Sequence, residues 1–271
     1  MRLTLGQLTP VPHQVAANID RIERSITAAP ADLAIFPELF LSGYRVGDQI
    51  HALALFESSS EWRRLVELAS RSRTAILVGA PRRRPTRAGE VENVALLFLP
   101  SGSVFAQVKR YLPTYGPFEE GSFFTPTDRS TPLPLGAHRL GVEICYDAFF
   151  PEVTRGLSLA GADLLINVSA SPVTSRRLFE KVLPARAVEN ATPMIYVNRV
   201  GVEDGVVFGG GTNAWDARGE PIAMEAIPFE GASPEQRLFR VEIDLVDAAH
   251  WRPFRPVLRD VDARPPTSAP P

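Results

Sequence analysis

The sequence predicts a single α/β domain in which sheets are covered by helices. Short apolar runs of strand length alternate with amphipathic segments of helical spacing along most of the chain. No internal repeat and no linker-like stretch separates them. With 271 residues, 45% of them hydrophobic and 22% charged, the chain can bury a sizeable core. The domain is expected to span residues 1–263, with the Pro-rich residues 264–271 as a loose tail.

The alternation starts with a strand at residues 2–8. A helix follows at 14–29, where Val15, Ile19, Ile22 and Ile26 recur at helical spacing. Residues 33–36 read as a short buried strand ended by Pro37, and residues 38–44 as a loop rich in bulky groups. A second helix is predicted at 61–72 and a strand at 74–79. The arginine-rich residues 82–87 read as the solvated tip of a hairpin loop. Strands at 94–99 and 104–108 flank the turn signal Pro100-Ser-Gly102. A long Pro/Gly/aromatic loop at 112–126 leads to a strand at 140–144 and a helix at 152–160. Beyond these lie a strand at 164–168, a helix at 176–191 broken or kinked at Pro184, and a strand at 194–198. The remainder reads as Gly-rich turns and strands at 206–217, 221–226 and 238–243.

Composition excludes several functions. A formal charge of −2 gives no reason to expect nucleic acid or an anionic membrane as a partner. A single cysteine rules out an intrachain disulfide and fits a reducing compartment. Residues 1–8 lack the apolar core of a signal peptide, and no apolar run approaches a bilayer's thickness. A cytoplasmic protein is expected. No Gly-x-Gly-x-x-Gly opens a helix and no phosphate-binding loop is present, so no nucleotide cofactor is expected.

The chemistry gathers at the ends of strands. Cys145 follows the apolar run 140–144 and precedes the helix begun near Pro151, on a sharp turn where a thiol can meet a ligand. Backbone N–H groups of such a turn can stabilise a developing oxyanion. A lone cysteine is also compatible with a small buried hydrophobe. A nucleophilic thiol needs a base and a group to hold the oxyanion. The four histidines are poorly placed for this: His13 and His51 open helical stretches, His138 starts a strand, and His250 lies near the tail. Glu38 and Lys109 are better placed, each just past an apolar strand as Cys145 is, where α/β sheets build sites. A buried Glu can take the thiol proton, and a nearby ammonium favours the thiolate and can hold an oxyanion.

Three stretches carry a resemblance: Phe36-Pro-Glu-Leu-Phe-Leu-Ser-Gly-Tyr44, Lys109-Arg-Tyr-Leu-Pro-Thr-Tyr-Gly-Pro-Phe-Glu-Glu120 and Ile144-Cys-Tyr-Asp-Ala-Phe-Phe-Pro-Glu152. In this order they resemble the signatures of the nitrilase (carbon–nitrogen hydrolase) superfamily, over residues 2–262. The resemblance implies Glu38 as general base, Lys109 as oxyanion stabiliser, Cys145 as nucleophile and Glu120 as an auxiliary glutamate. It also implies a four-layer α-β-β-α sandwich that pairs as a homodimer or larger homo-oligomer, with no metal or cofactor. The implied reaction expels ammonia or an amine from an amide, leaves a thioester, and hydrolyses it.

Residues 167–177, 196–201 and 207–210 resemble the glutaminase domain of glutamine-dependent NAD synthetases. That branch would place Tyr115, Ser171 and Arg177 against substrate, with Arg177 suited to a carboxylate. Tyr44 and Tyr146 complete the expected substrate contacts. The glutaminase branch, however, carries Glu directly after the cysteine, where Tyr146 stands here. Cys-Tyr-Asp instead resembles stand-alone amidases and carbamoylases. A free-standing amidase for a small amide, one carrying a carboxylate among the options, is therefore expected. The alternatives are an N-carbamoyl amidohydrolase, a glutaminase subunit that supplies ammonia to a partner, and a thioester-using acyltransferase.

Overall fold

A computed structural model of the chain describes residues 1–116 and 118–262. The first half contains β1 (Arg2–Gln7), α1 (Val15–Ala28), β2 (Leu33–Ile35), α2 (Ile50–Leu53), α3 (Ser60–Ser72), β3 (Ala75–Arg83), β4 (Val91–Phe98) and β5 (Val104–Val108). Next come β6 (Leu133–Leu135), β7 (His138–Ile144), α4 (Pro151–Leu159), β8 (Leu164–Ser169), α5 (Arg176–Asn190) and β9 (Met194–Asn198). The chain continues through β10 (Val200–Glu203), β11 (Val206–Gly209), β12 (Asn213–Trp215), β13 (Glu225–Pro228), β14 (Arg237–Glu242), α6 (Leu245–Phe254) and α7 (Val257–Asp262).

Two sheets form the centre. One has the order β13-β14-β1-β2-β3-β4-β5 and the other β12-β9-β8-β7-β6, while β10 and β11 make a separate hairpin. Period-2 alternation assigns each strand two faces. Leu5, Ile35 and Leu77 point into the core shared with Val142 and Ile144 of the second sheet. Their neighbours Ala34, Phe36 and Ile76 point the other way, onto Ile19 and Ile22 of α1 and Leu65 of α3. Helix α3 starts where Ser59 Oγ accepts the Trp62 N–H at 3.2 Å, a side-chain N-cap. On the opposite side α4 and α5 cover the second sheet. Gly141 permits this, since a Cβ there would lie 2.9 Å from Ala162 and 3.2 Å from Leu157. The result is the expected four-layer α-β-β-α sandwich.

Several boundaries differ from the sequence reading. Residues 82–87 are not all a loop tip: β3 runs through Arg83, and Arg82 meets Glu92 across the ladder at 2.6 Å. Arg84 is likewise held by Glu90 at 2.5 Å. The strand expected at 94–99 starts earlier, at Val91, because Glu92 and Asn93 are buried with the apolar residues around them. Residues 206–217 split into two strands at Gly210 and Gly211, which have φ of 56° and 81°. The strand expected at 221–226 forms instead at β13. Helix α5 continues through Pro184 as one element. Short α2, β6 and β10 and the C-terminal α6 and α7 were not anticipated. Helix α6 contains Pro253 and has little amphipathic pattern to betray it. The tail expected at 264–271 falls outside the described residues. Among the described residues no helix is long and apolar enough to cross a membrane.

Parallel pairing of β1-β2-β3 and of β7-β8-β9 sends the C-terminal ends of these strands to one region. Two packing details shape it. Gly79 of β3 donates its N–H to Pro37 O at 3.0 Å, and a Cβ at Gly79 would overlap the backbone of Pro37, Glu38 and Leu39. Beneath β7, Glu143 is wholly buried between Thr154 Oγ1 of α4, at 2.7 Å, and Asn167 Nδ2 of β8, at 3.3 Å. Burial, opposed by the Thr154 hydrogen bond, pushes its carboxyl up to about 7.

Gly79→Ala is expected to lower stability by about 1–3 kcal/mol through overpacking. Gly156→Ala, exposed in α4 with nothing within 4 Å of the added Cβ, should raise it by about 0.5–1 kcal/mol. Denaturant midpoints of the two proteins check this, and shifts of the same sign would contradict it. A second expectation concerns pH. Glu143 holds its proton more tightly folded than unfolded, so it favours folding below its ordinary value of 4.5, and this contribution is lost as pH rises through about 7. Glu143→Gln should therefore gain on the parent protein by on the order of 3 kcal/mol between pH 4 and pH 8. A stability difference that does not vary with pH would remove the assignment.

Candidate active site

Glu38 sits just past β2, on the backbone segment that Gly79 admits. Its Oε1 accepts from Lys109 Nζ at 2.6 Å and from Asn93 Nδ2 at 2.8 Å. Its Oε2 accepts the N–H of Ala170 at 2.9 Å, just beyond β8 of the other sheet. One carboxylate is thus clamped by both sheets. Lys109 follows β5 and is fully buried; besides Glu38 it meets Glu120 Oε1 at 2.7 Å. Tyr44 donates its hydroxyl to the same Glu120 oxygen at 2.5 Å. Glu120 lies in a short turn of 3₁₀ helix at Glu120–Ser122 and is also buried. The sequence-predicted Glu38, Lys109, Glu120 and Tyr44 therefore form one connected cluster.

Cys145 follows β7 directly, at the start of a 3₁₀ turn over Cys145–Phe149, and adopts φ of 49°, a left-handed conformation that costs a non-Gly residue of order 1–3 kcal/mol unless its surroundings enforce it. Two buried groups do so. Asp147 accepts from the N–H groups of Ile144 at 3.2 Å, Arg110 at 3.2 Å and Tyr111 at 2.9 Å. It ties the cysteine turn to the residues next to Lys109. Asn167 Nδ2 donates to Cys145 O at 3.2 Å while Ser169 Oγ donates to Asn167 Oδ1 at 2.7 Å.

Electrostatics link the two halves. Burial, then the Glu38 carboxylate, push the Cys145 thiol well above its ordinary value, against the pull of the Lys109 ammonium. Such surroundings favour the neutral thiol over the thiolate. For Lys109, burial alone would lower the pKa, but Glu120 and Glu38 outweigh it and keep the ammonium charged. Glu120 is pushed up by burial, against the Lys109 ammonium and with help from the Glu38 charge. Asp147 is raised to about 6, burial again prevailing over Lys109. Among the described residues no group of three or more His, Cys, Asp or Glu side chains is placed to hold a metal ion.

A cavity of about 200 Å³ opens over Cys145. Tyr115, Tyr146 and Ser171, expected at the substrate, line it together with Phe118, Phe149 and Phe179. Tyr44 lines a neighbouring cavity of about 250 Å³ that Glu120 also reaches. Arg177, expected at the substrate, is exposed on the first turn of α5 and is not among the residues that line either cavity; that helix buries Phe179 and Leu183. Asn93 and the Ala170 N–H, both on Glu38, were also missed. The polar pair Glu92-Asn93, leading into the apolar run of β4, was the available signal for Asn93.

Known proteins are similar to this chain in sequence and in fold. The carbon-nitrogen hydrolase family matches residues 2–253. An (R)-stereoselective amidase from Pseudomonas sp is 31% identical over 90% of this chain and 85% of its own length. A glutamine-dependent NAD(+) synthetase from Rhodobacter capsulatus is 32% identical over 93% of this chain, which spans 45% of that protein. The structure of an amidase from Nesterenkonia sp. AN1, bearing acrylamide at its active site cysteine after Michael addition, aligns with a TM-score of 0.77 at 29% identity, over 94% of this chain and 99% of that one. A match of that extent, on the same layered architecture, means that this chain belongs to the carbon-nitrogen hydrolase family.

Proposed function

We propose that the protein hydrolyses the C–N bond of a small linear amide through a thioester on Cys145. The observation that carries this reading is the buried Lys109 ammonium, held by Glu38 and Glu120 within electrostatic reach of the chain's only cysteine. The adduct on the cysteine of the Nesterenkonia amidase supports Cys145 as nucleophile.

In the first half of the reaction Glu38 takes the thiol proton as Sγ bonds to the amide carbon. The carbonyl π electrons move to oxygen, which Lys109 Nζ and the N–H of Tyr146 stabilise. The tetrahedral intermediate collapses as Glu38 returns the proton to the leaving nitrogen, and ammonia departs from a thioester. In the second half water gives a proton to Glu38 and adds to the thioester carbon. The C–S bond then breaks, the proton returns to sulfur, and a carboxylic acid leaves. Glu120 and Tyr44 keep Lys109 in place throughout, and the Ala170 N–H fixes the free oxygen of Glu38. A glutaminase role is disfavoured: Tyr146 stands where a second acid would meet an α-ammonium, and Arg177 lies outside the cavity.

Cys145→Ala is expected to lower kcat for amide hydrolysis by on the order of 10⁴-fold or more with the fold retained. Ammonia release and circular dichroism measure this, and near-normal turnover would eliminate the nucleophile assignment. Lys109→Met should cost about 10²–10³ in kcat, the scale of a lost oxyanion donor, while KM changes little. Steady-state kinetics decide it: a change confined to KM would place Lys109 in binding and not in transition-state stabilisation.

A further inference from the structure

We infer that the cavity over Cys145 is an acyl-group pocket selective for neutral, apolar and preferably aromatic amides, with Leu178 at its mouth as a specificity-determining residue. The inference rests on the hydrolase reading above and deepens it.

Three observations carry it. The first is composition. Tyr115, Phe118, Tyr146, Phe149, Leu178 and Phe179 wall the space, and none of the described residues lining it carries a formal charge at neutral pH. An acyl chain ending in a carboxylate or an ammonium would be desolvated there without a counter-ion. On the first turn of α5, Arg177 is outside the lining and Arg176 is paired with Glu180 at 2.9 Å, while the Lys109 ammonium is held by Glu38 and Glu120.

The second is shape. The cavity volume of about 200 Å³ exceeds the roughly 150 Å³ that holds benzene in an apolar engineered cavity. A phenyl ring therefore fits, whereas a methyl group leaves most of the space unfilled. The rings are also braced against one another. Tyr115 packs edge-to-face on Phe118 at 5.6 Å and on Tyr146 at 5.5 Å. Phe149 does so on Phe179 at 5.0 Å, and Phe179 stacks on Tyr196 at 5.2 Å. Such a frame offers fixed ring faces and edges to a further ring.

The third is orientation. Glu38, Lys109 and Glu120 lie outside this lining, while Cys145 is part of it. With the carbonyl oxygen and the amide nitrogen turned towards the charged groups, the substituent left to enter the cavity is on the acyl side.

The test is kcat/KM for phenylacetamide, acetamide, succinamic acid, glutamine and acetanilide, read as released ammonia or aniline. Phenylacetamide is expected to exceed acetamide and both charged amides by about 10²-fold or more, the scale on which apolar pockets discriminate. Leu178 is 52% exposed, so Leu178→Arg should fold, and it should shrink the preference over succinamic acid at least about tenfold. Succinamic acid or glutamine matching phenylacetamide would overturn the pocket assignment and leave the hydrolase reading standing. Acetanilide as the best substrate would place the ring on the amine side and overturn it likewise. No turnover of any compound, with Cys145 still alkylated by iodoacetamide, would sink the hydrolase reading. Binding to Cys145→Ala then judges the pocket alone: a thermal shift from phenylacetamide and none from succinamic acid supports it, and equal shifts refute it.

Discussion

The buried ammonium of Lys109 is the charge on which the rest of the site depends. A lone ion in this position would be unfavourable by several kcal/mol, and two carboxylates at 2.6 and 2.7 Å offset that cost. The pairing has a structural consequence. Glu38 comes from the end of β2, Lys109 from the end of β5 and Glu120 from the loop beyond it, so one cation fixes three separate segments. Asn93 and the Ala170 N–H add hydrogen bonds to Glu38, and the Ala170 bond carries the constraint across to the second sheet. Taking away one partner would leave a buried charge unmatched, a far larger penalty than losing a surface ion pair.

The cysteine turn depends on the same logic with a different anchor. The left-handed backbone at Cys145 persists because Asp147 and Asn167 over-determine it. Asp147 also binds the N–H groups of Arg110 and Tyr111. The sulfur and the ammonium are therefore registered against each other by a carboxylate that contacts neither. A raised thiol pKa and a charged Lys109 are compatible with the proposed mechanism, in which the proton leaves sulfur only as the new bond forms.

Much of this was legible in the sequence, for identifiable reasons. Glu38, Lys109 and Cys145 each stand just past an apolar strand; parallel pairing of β1–β3 and of β7–β9, with two antiparallel steps from β3 through β4 to β5, brings these positions to one end of the layered fold. The central strands of the first sheet are buried on both faces, so they read as short continuous apolar runs that do not mark which face each residue takes. Glu120 was visible only through its resemblance to a known stretch, because a loop glutamate has no periodicity to mark it. The Ala170 donor is a backbone group and leaves no side-chain trace. The cavity walls come from the loop after Lys109, the turn after Cys145 and the start of α5, segments that only tertiary packing unites. The exposure of Arg177 follows from spacing: two residues before the buried Phe179 is about 200° around a helix, on the opposite face. Helices α6 and α7 were hidden by proline content and weak patterning.

The central claim, a common thioester on Cys145, is tested most directly by partitioning with hydroxylamine during turnover. An amide and an ester of the same acyl group would be hydrolysed in parallel, and hydroxamate and free acid quantified. A shared acyl-enzyme predicts the same hydroxamate-to-acid ratio from both substrates at each hydroxylamine concentration, since the leaving group has already departed. A ratio that changes with the leaving group, or acid alone while ammonia is still released, would contradict the account.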